Sequence, residues 1–402
     1  MIGFLKNKRD SIITIFSLIL NRGLDAVVLL VITPLLIKAF GSEAYGEFTY
    51  YLTIVFFIQT FVIFGFENYI IYNASKSEAN SSVILSSVFT VKLLTFLVSS
   101  CVYVIFLNFK FEGEELYPYI LILLPFVECF NFAHFFVAKN IASKLVSFSI
   151  VRLIIHVVFT LYFVNTSVDV DVYACILGTS YLVSVLLQYI YINFNNNVKI
   201  RFELSLALSC FTESGRFFIL KVIQTLSDKS YLIFSGTLIS YTSVAILDVF
   251  LKLYLVVLMP VQILIISVLP KFIRQSYDFS FKYLFGFSIL IIITLVPLSY
   301  LYSSNISYYF FKKDVPLEYY FLIIMSAVFF ICSIIITELY FNPKGKLNVS
   351  IYSSGIVYLI SFSCLIAFSL IYSLDLRSLL FIFMVSKLFD LVLKLLLVYK
   401  KC

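Results

Sequence analysis

The residues able to do chemistry in this chain are charges set inside apolar runs. Arg22, Lys92, Arg152, Lys229, Lys252 and Lys387, with Asp25, Glu128, Asp228, Asp248, Glu338 and Asp390, interrupt stretches otherwise rich in Ile, Leu, Val and Phe. One such charge at the centre of a lone membrane helix costs about 3 kcal/mol on insertion scales, so these groups must face each other or a wet cavity. Arg22 and Asp25 are three residues apart, as are Lys387 and Asp390, and Asp248 and Lys252 are four apart. Each pair can therefore share one helical face and neutralise itself. Lys92 and Arg152 have no acid within one helical turn and need a partner from elsewhere, either a bound anion or an acid on another helix; the anion is favoured. His156, four residues after Arg152, could relay a proton, but a lone histidine in a bundle more often makes a helix-to-helix hydrogen bond. Arg216, Lys221 and Lys394 lie near helix ends and are read as snorkelling to an interface.

Other chemistries find no support. The chain has two histidines, His134 and His156, no GxSxG, no Walker loop and no paired carboxylates in a loop, so no enzymatic constellation emerges. Seven cysteines lie scattered without CxxC spacing or neighbouring histidines, which argues against a disulfide framework and against zinc. No cofactor or metal is expected. The net charge of +7 would suggest nucleic acid in a soluble protein, but here the basic residues must first be sorted by side of a membrane.

The elements that must position these charges follow from composition. Of 402 residues, 62% are hydrophobic and 13% charged, and the mean hydropathy is +1.04. That leaves too little polar surface to clothe a soluble globule. Apolar runs against charged or Asn/Gly/Pro breaks predict helical spans over 12–37, 48–71, 83–108, 118–138, 145–165, 173–194, 214–238, 244–270, 284–304, 319–341, 349–373 and 378–399. Pro34, Pro125, Pro260 and Pro297 fall within them and free backbone carbonyls there. With a cytoplasmic N-terminus, about 15 basic residues fall on the cytoplasmic side against about 5 opposite, so the positive-inside rule puts both termini in the cytoplasm. The first ten residues, with Lys6, Lys8 and Arg9, are read as a retained cytoplasmic end and not a cleaved signal. Tyrosine pairs such as Tyr50-Tyr51 and Tyr319-Tyr320 supply the interfacial belt. The expected organisation is an N-terminal six-helix bundle over 1–194, a cytoplasmic linker over 195–213 and a C-terminal six-helix bundle over 214–402. A faint internal echo supports it: Asp228-Lys229 answers Arg22 and Asp25, and Glu338 answers Glu128.

The stretch Arg22 to Asn73, in which a charged first helix runs through Pro34 into a loop of the pattern G-x-x-x-Y-G, Gly41 to Gly46, and then an aromatic second helix, resembles the start of the polysaccharide transporter family. Ser240 to Phe272, with Lys252 and the closing Leu269-Pro270, is similar to the matching piece of the second half. The second half departs from the pattern: the glycine expected after the seventh helix is missing from Ile-Ser-Tyr-Thr-Ser at 239–243. The family includes the Wzx-type O-antigen flippases and belongs to the multidrug/oligosaccharidyl-lipid/polysaccharide (MOP) exporter superfamily. The resemblance implies an all-α integral membrane fold with about 12 transmembrane helices in two pseudo-symmetric bundles of the MOP/MATE kind.

It further implies a flippase that moves an undecaprenyl-diphosphate-linked oligosaccharide, an O-antigen or capsule repeat unit, from the cytoplasmic to the outer leaflet of a bacterial inner membrane. Arg22, Lys92, Arg152, Lys252 and Lys229 are the candidate pyrophosphate contacts, because guanidinium and ammonium groups bind phosphate oxygens strongly at low dielectric. Asp25, Glu128, Asp228 and Glu338 are candidates for a coupling ion. Expected partners are the lipid-linked oligosaccharide, membrane lipids, and a polysaccharide polymerase and chain-length regulator; no nucleic acid is expected. The rivals are a multidrug exporter of the same superfamily, whose cavity should be net acidic, and an O-antigen polymerase, which would need a large basic outer loop.

Overall fold

The computed structural model describes residues 2–67, 69–70, 81–110, 115–139, 141, 143–195, 200–202, 204, 207–275, 294, 297, 301–341, 346–371 and 374–399. Of Arg22, Asp25, Arg216 and Asp228 the backbone alone is described, and most of the expected span 284–304 and parts of the linker 195–213 lie outside the described residues. Every regular element among the described residues is helical.

The first helix, α1 (Ile2–Ile63), runs for 62 residues and merges the two expected spans 12–37 and 48–71. The G-x-x-x-Y-G segment is a kink and not a loop. Gly41 alone leaves helical geometry, at φ 84 and ψ 163, a conformation glycine adopts without a Cβ penalty. The helix ends earlier than expected: Phe64 and Gly65 take positive φ, and the Phe64 N–H closes the last turn on the Thr60 carbonyl at 3.1 Å.

After α2 (Ser81–Lys110) the expected single span 118–138 is broken into α3 (Tyr117–Ile120), α4 (Leu123–Glu128) and α5 (Ala133–Ala138). The cause is local. Pro125 has no N–H for the Leu121 carbonyl, which accepts instead from Leu124 N–H at 3.0 Å in a tighter turn. Beyond Glu128 the chain continues with tight bonds from Cys129, Phe130 and Asn131 N–H, then stops at Asn131-Phe132. The Asn131 side-chain oxygen restarts the helix by accepting Ala133 N–H at 3.1 Å.

The remaining elements fall close to the expected spans: α6 (Ser143–Phe163), α7 (Val170–Asn195), α8 (Ala207–Leu238), α9 (Tyr241–Gln275), a helical stretch over 301–311, α10 (Leu317–Ile336), α11 (Leu347–Ile371) and α12 (Leu376–Tyr399). A single π-helical turn, Thr337–Phe341, extends α10 and carries Glu338. Eight segments among the described residues are long and apolar enough to cross a membrane, the most hydrophobic being Leu317–Phe341. Their outward faces carry side chains such as Val98, Tyr162 and Leu370, each more than two-thirds exposed, which suits hydrocarbon and not water. The chain is a multi-pass membrane protein.

Two compact units result. The first holds Met1–Ile32, Ala39–Ala44 and Phe48–Lys229, and the second holds Thr33–Lys38, Tyr45–Glu47 and Ser230–Cys402. In the first, Phe66, Leu85, Phe132, Phe135, Phe136 and Ile192 make a fully buried core, flanked by the Phe64 ring stacked on Phe211 and Phe218. In the second, Phe383 receives Tyr231 and Tyr254 edge-on.

Within the second unit the α1 segment around Gly46 lies against the start of α9, where a Cβ added at Gly46 would fall 1.7 Å from the Tyr241 carbonyl oxygen. The contact is with backbone, which cannot rotate away. Replacing Gly46 by alanine is expected to destabilise the protein by about 1–3 kcal/mol, as overpacking does. Gly23, with nothing within 4 Å of its added Cβ, should tolerate alanine. Thermal midpoints of the two purified variants in detergent check the contrast.

Candidate functional site

Two lysines anticipated as open cations are enclosed by acceptors. Lys92, on α2 and 3% exposed, donates to a Glu128 carboxylate oxygen at 3.2 Å and to the backbone carbonyls of Glu128 and Asn131 at 3.0 and 2.9 Å. An ammonium has three donors, and these three acceptors use them. Both carbonyls lie beside the break between α4 and α5; that of Glu128 also accepts the Asn131 N–H at 3.1 Å, so Lys92 takes its second lone pair. Glu128 is held from its other oxygen by Gln59 at 3.1 Å and Asn131 at 3.0 Å. The partner sought for Lys92 is thus an acid from another helix, where sequence reasoning had favoured an anion.

Lys252 is enclosed likewise in the second unit. Its ammonium donates to Asp248 at 2.6 Å, one turn back on α9, and to Thr33 Oγ1 and Tyr45 Oη, each at 2.8 Å. Tyr45 in turn donates to Asp248 at 2.5 Å. The i,i+4 pair read from sequence is formed. Its two α1 hydroxyl partners went unrecognised, because neither residue type stands out in an apolar run and the contact spans more than two hundred positions.

The third closed network corrects two sequence readings. Asp390 pairs with Lys394 at 2.9 Å and not with Lys387, and Lys394 is 4% exposed instead of snorkelling to an interface. Ser333 bonds to both members of the pair, and Ser354 donates to the second Asp390 oxygen at 3.0 Å, so α10, α11 and α12 meet on one carboxylate. Lys387 instead lies over the Phe330 and Phe383 rings, at 4.7 and 5.0 Å.

Arg152 and Lys229 are arranged differently. The Arg152 guanidinium stacks 4.4 Å from the centre of the Tyr181 ring, and the Lys229 ammonium lies 5.2 Å from that of Phe56. Both belong to the first unit and both are partly exposed. His156 sits beneath Arg152, with Nε2 3.3 Å from Tyr173 Oη, the helix-to-helix hydrogen bond expected for it. Glu338 occupies the π-helical turn, half-buried. Arg22, Asp25 and Asp228 lie on α1 and α8, and their side chains are outside the described residues. The structure therefore groups Lys92 with Glu128 and Lys252 with Asp248, and presents Arg152 and Lys229 on aromatic faces.

Breaking a buried pair strands a charge, whereas removing both charges does not. Lys394→Met alone is expected to cost about 3–5 kcal/mol, and adding Asp390→Leu should recover most of that loss. Unfolding in mixed micelles of the single and double variants measures the difference.

Comparison with known proteins bears on this arrangement. A family model described as polysaccharide biosynthesis protein matches residues 8–276. No curated protein matches the sequence significantly. Among solved structures, the inward-facing conformation of a multidrug resistance MATE family transporter of the MOP superfamily superposes with a TM-score of 0.68 at 14% identity, covering 95% of this chain and 94% of that one. An outward-facing conformation of a multidrug resistance MATE transporter gives 0.63 at 12% identity, over 98% and 95%. The eukaryotic MATE transporter AtDTX14 gives 0.63 at 17% identity, over 99% and 96%. The fold class expected from the resemblance is thereby established, and the chain, with buried cations in an all-helical membrane body, belongs to the polysaccharide biosynthesis protein family and has the fold of the MOP-superfamily transporters.

Proposed function

We propose that this protein is a flippase for an undecaprenyl-diphosphate-linked oligosaccharide, an O-antigen or capsule repeat unit, which it carries from the cytoplasmic to the outer leaflet of a bacterial inner membrane. The observation that carries the reading is the polysaccharide-biosynthesis family match over residues 8–276. The chemistry agrees with it. The cargo joins a dense diphosphate anion to polar sugars and a polyprenyl tail. A basic protein interior open to lipid can hold the first two while the tail stays in hydrocarbon. Alternating access by rocking of residues 1–194 against 214–402 would carry the head group across.

Arg152 and Lys229 are candidates for diphosphate contact by residue type, and each lies against an aromatic ring that orients it. Lys92 and Lys252 would join them only by exchanging acceptors, because each already serves three. Arg22 belongs with this set by sequence. Asp25, Glu128, Asp228 and Glu338 remain the carboxylates proposed to carry a coupling ion. The rival multidrug exporter, with small cations as cargo, calls for a net acidic lining, whereas the acids here whose side chains are described in the networks are matched by lysines.

Deletion of the gene is expected to abolish surface polysaccharide while lipid-linked repeat units accumulate on the cytoplasmic leaflet. Normal surface polysaccharide in the deletion strain rejects the reading. Arg152→Ala and Lys229→Ala should each lower export about tenfold, the scale of one charge-assisted hydrogen bond, at unchanged levels of folded protein. Arg152→Lys should rescue poorly, since an ammonium lacks the planar stacking face.

A further inference from the structure

Of the three closed networks, that of Lys252 joins the two sequence halves. Lys92 draws the partners named above from residues 1–194, and Lys394 draws its own from residues 214–402. Asp248 and Lys252, on α9, instead bond across to Thr33 and Tyr45 on α1. The backbones also close up there, where a Cβ added at Gly46 would meet the Tyr241 carbonyl oxygen at the start of α9. Positive-inside sorting puts the Gly41 kink and the α8–α9 turn at the outer ends of their spans. Towards the cytoplasmic ends of α1 and α8 a second set of bonds links the halves: Thr60 Oγ1 donates to Thr225 Oγ1 at 3.1 Å, and Lys221 donates to Glu67 at 3.3 Å.

The chemistry of the outer contact lets it part. Asp248 and Lys252 stand one turn apart on the same helix, so withdrawal of α1 removes two hydroxyls and leaves each charge with its counter-ion. Parting Lys92 from Glu128 would instead strand two buried charges, because they stand on separate helices, α2 and α4. The hydroxyls still select one arrangement when in place. Tyr45 Oη accepts from Lys252 at 2.8 Å and donates to Asp248 at 2.5 Å, and bonds to charged groups are the strong ones. A contact that is specific when made and leaves no charge unpaired when broken suits a joint that opens and closes.

We propose that Thr33 and Tyr45 on α1 and the Asp248–Lys252 pair on α9 form a latch that closes the outer side of the transport path and is undone and remade in each cycle. Rocking of residues 1–194 against 214–402 cannot open that side without parting these four groups. The Thr60–Thr225 and Lys221–Glu67 contacts, at the other end, stay in place as the pivot. The latch rests on the alternating-access reading above and not on the identity of the cargo.

Spin labels at Glu43→Cys, on α1 beside the kink, and Lys313→Cys, shortly before α10, report the separation of the outer ends. Cys101, Cys175, Cys364 and Cys402 are replaced by serine so that the labels stay at the two chosen positions. Pulsed electron double resonance of the full chain in lipid nanodiscs then reads the ratio of a long to a short distance. Tyr45→Phe, which keeps the ring and removes only the hydroxyl, should raise that ratio about tenfold, the scale of one hydrogen bond to a charged group. Thr33→Val should act in the same direction, and the two together should exceed either. Gly46→Ala, which bars the close backbone approach, should also favour the long distance. Thr225→Val, at the other end, and Ser354→Ala, which loosens the Asp390 network, should not. A distance distribution unchanged in the Thr33→Val/Tyr45→Phe double variant overturns the proposal. So does equal lengthening in Thr225→Val or Ser354→Ala, since any lost hydrogen bond would then free the outer ends. Should Gly46→Ala fail to fold, the conservative Tyr45→Phe decides. An unchanged distribution alongside loss of surface polysaccharide in the deletion strain removes the latch and spares the cargo reading. A shifted distribution alongside normal polysaccharide keeps the latch, in a transporter of another cargo.

Discussion

An ammonium group in hydrocarbon must find its acceptors within the protein, and this constraint organises both compact units. Lys92, Lys252 and Lys394 each collect acceptors from more than one stretch of chain. Because water is missing, the acceptors must come from the protein, and the helices that provide them are fixed relative to one another by the demand. The same groups that stabilise the bundle are those whose rearrangement a charged cargo could drive. A single physical requirement thus makes the interior both coherent and responsive.

The break after Glu128 extends this logic to the backbone. An uninterrupted helix would offer Lys92 no main-chain acceptors. Pro125 tightens the winding, the chain stops at Asn131, and the Glu128 and Asn131 carbonyls beside the break become acceptors for the lysine. Side-chain charge and main-chain path are coupled at this point. A similar local irregularity, the π-helical turn at Thr337–Phe341, accompanies Glu338 in the second unit. Departures from regular helix thus coincide with the titratable residues that sequence reasoning singled out.

Much of the architecture was legible in the sequence because period and polarity are local signals. The spans, the i,i+4 pair of Asp248 and Lys252 and the family pattern around Gly41 all lie within short windows. Partners across distant helices were not legible: Glu128 for Lys92, Thr33 and Tyr45 for Lys252, and Ser333 for Asp390 depend on packing that no window contains. Proximity along the chain also misled. Lys387 is closer in sequence to Asp390 than Lys394 is, yet Lys387 lies over two phenylalanine rings while Lys394, one full turn on, takes the carboxylate. The kink at Gly41 was read as a loop because a glycine pair in sequence marks a bend without stating how tight it is.

The attachment of a short piece of α1, Thr33–Lys38 and Tyr45–Glu47, to the second compact unit restricts how such genes can recombine. A hybrid that fuses the opening half of one homologue to the closing half of another inherits Asp248 and Lys252 from one parent and the two hydroxyls from the other. Unless both parents agree at those four places, the ammonium enters the bilayer undersupplied. Crossovers at the sequence midpoint, which look innocuous in a hydropathy plot, are therefore where incompatibility between parents would surface.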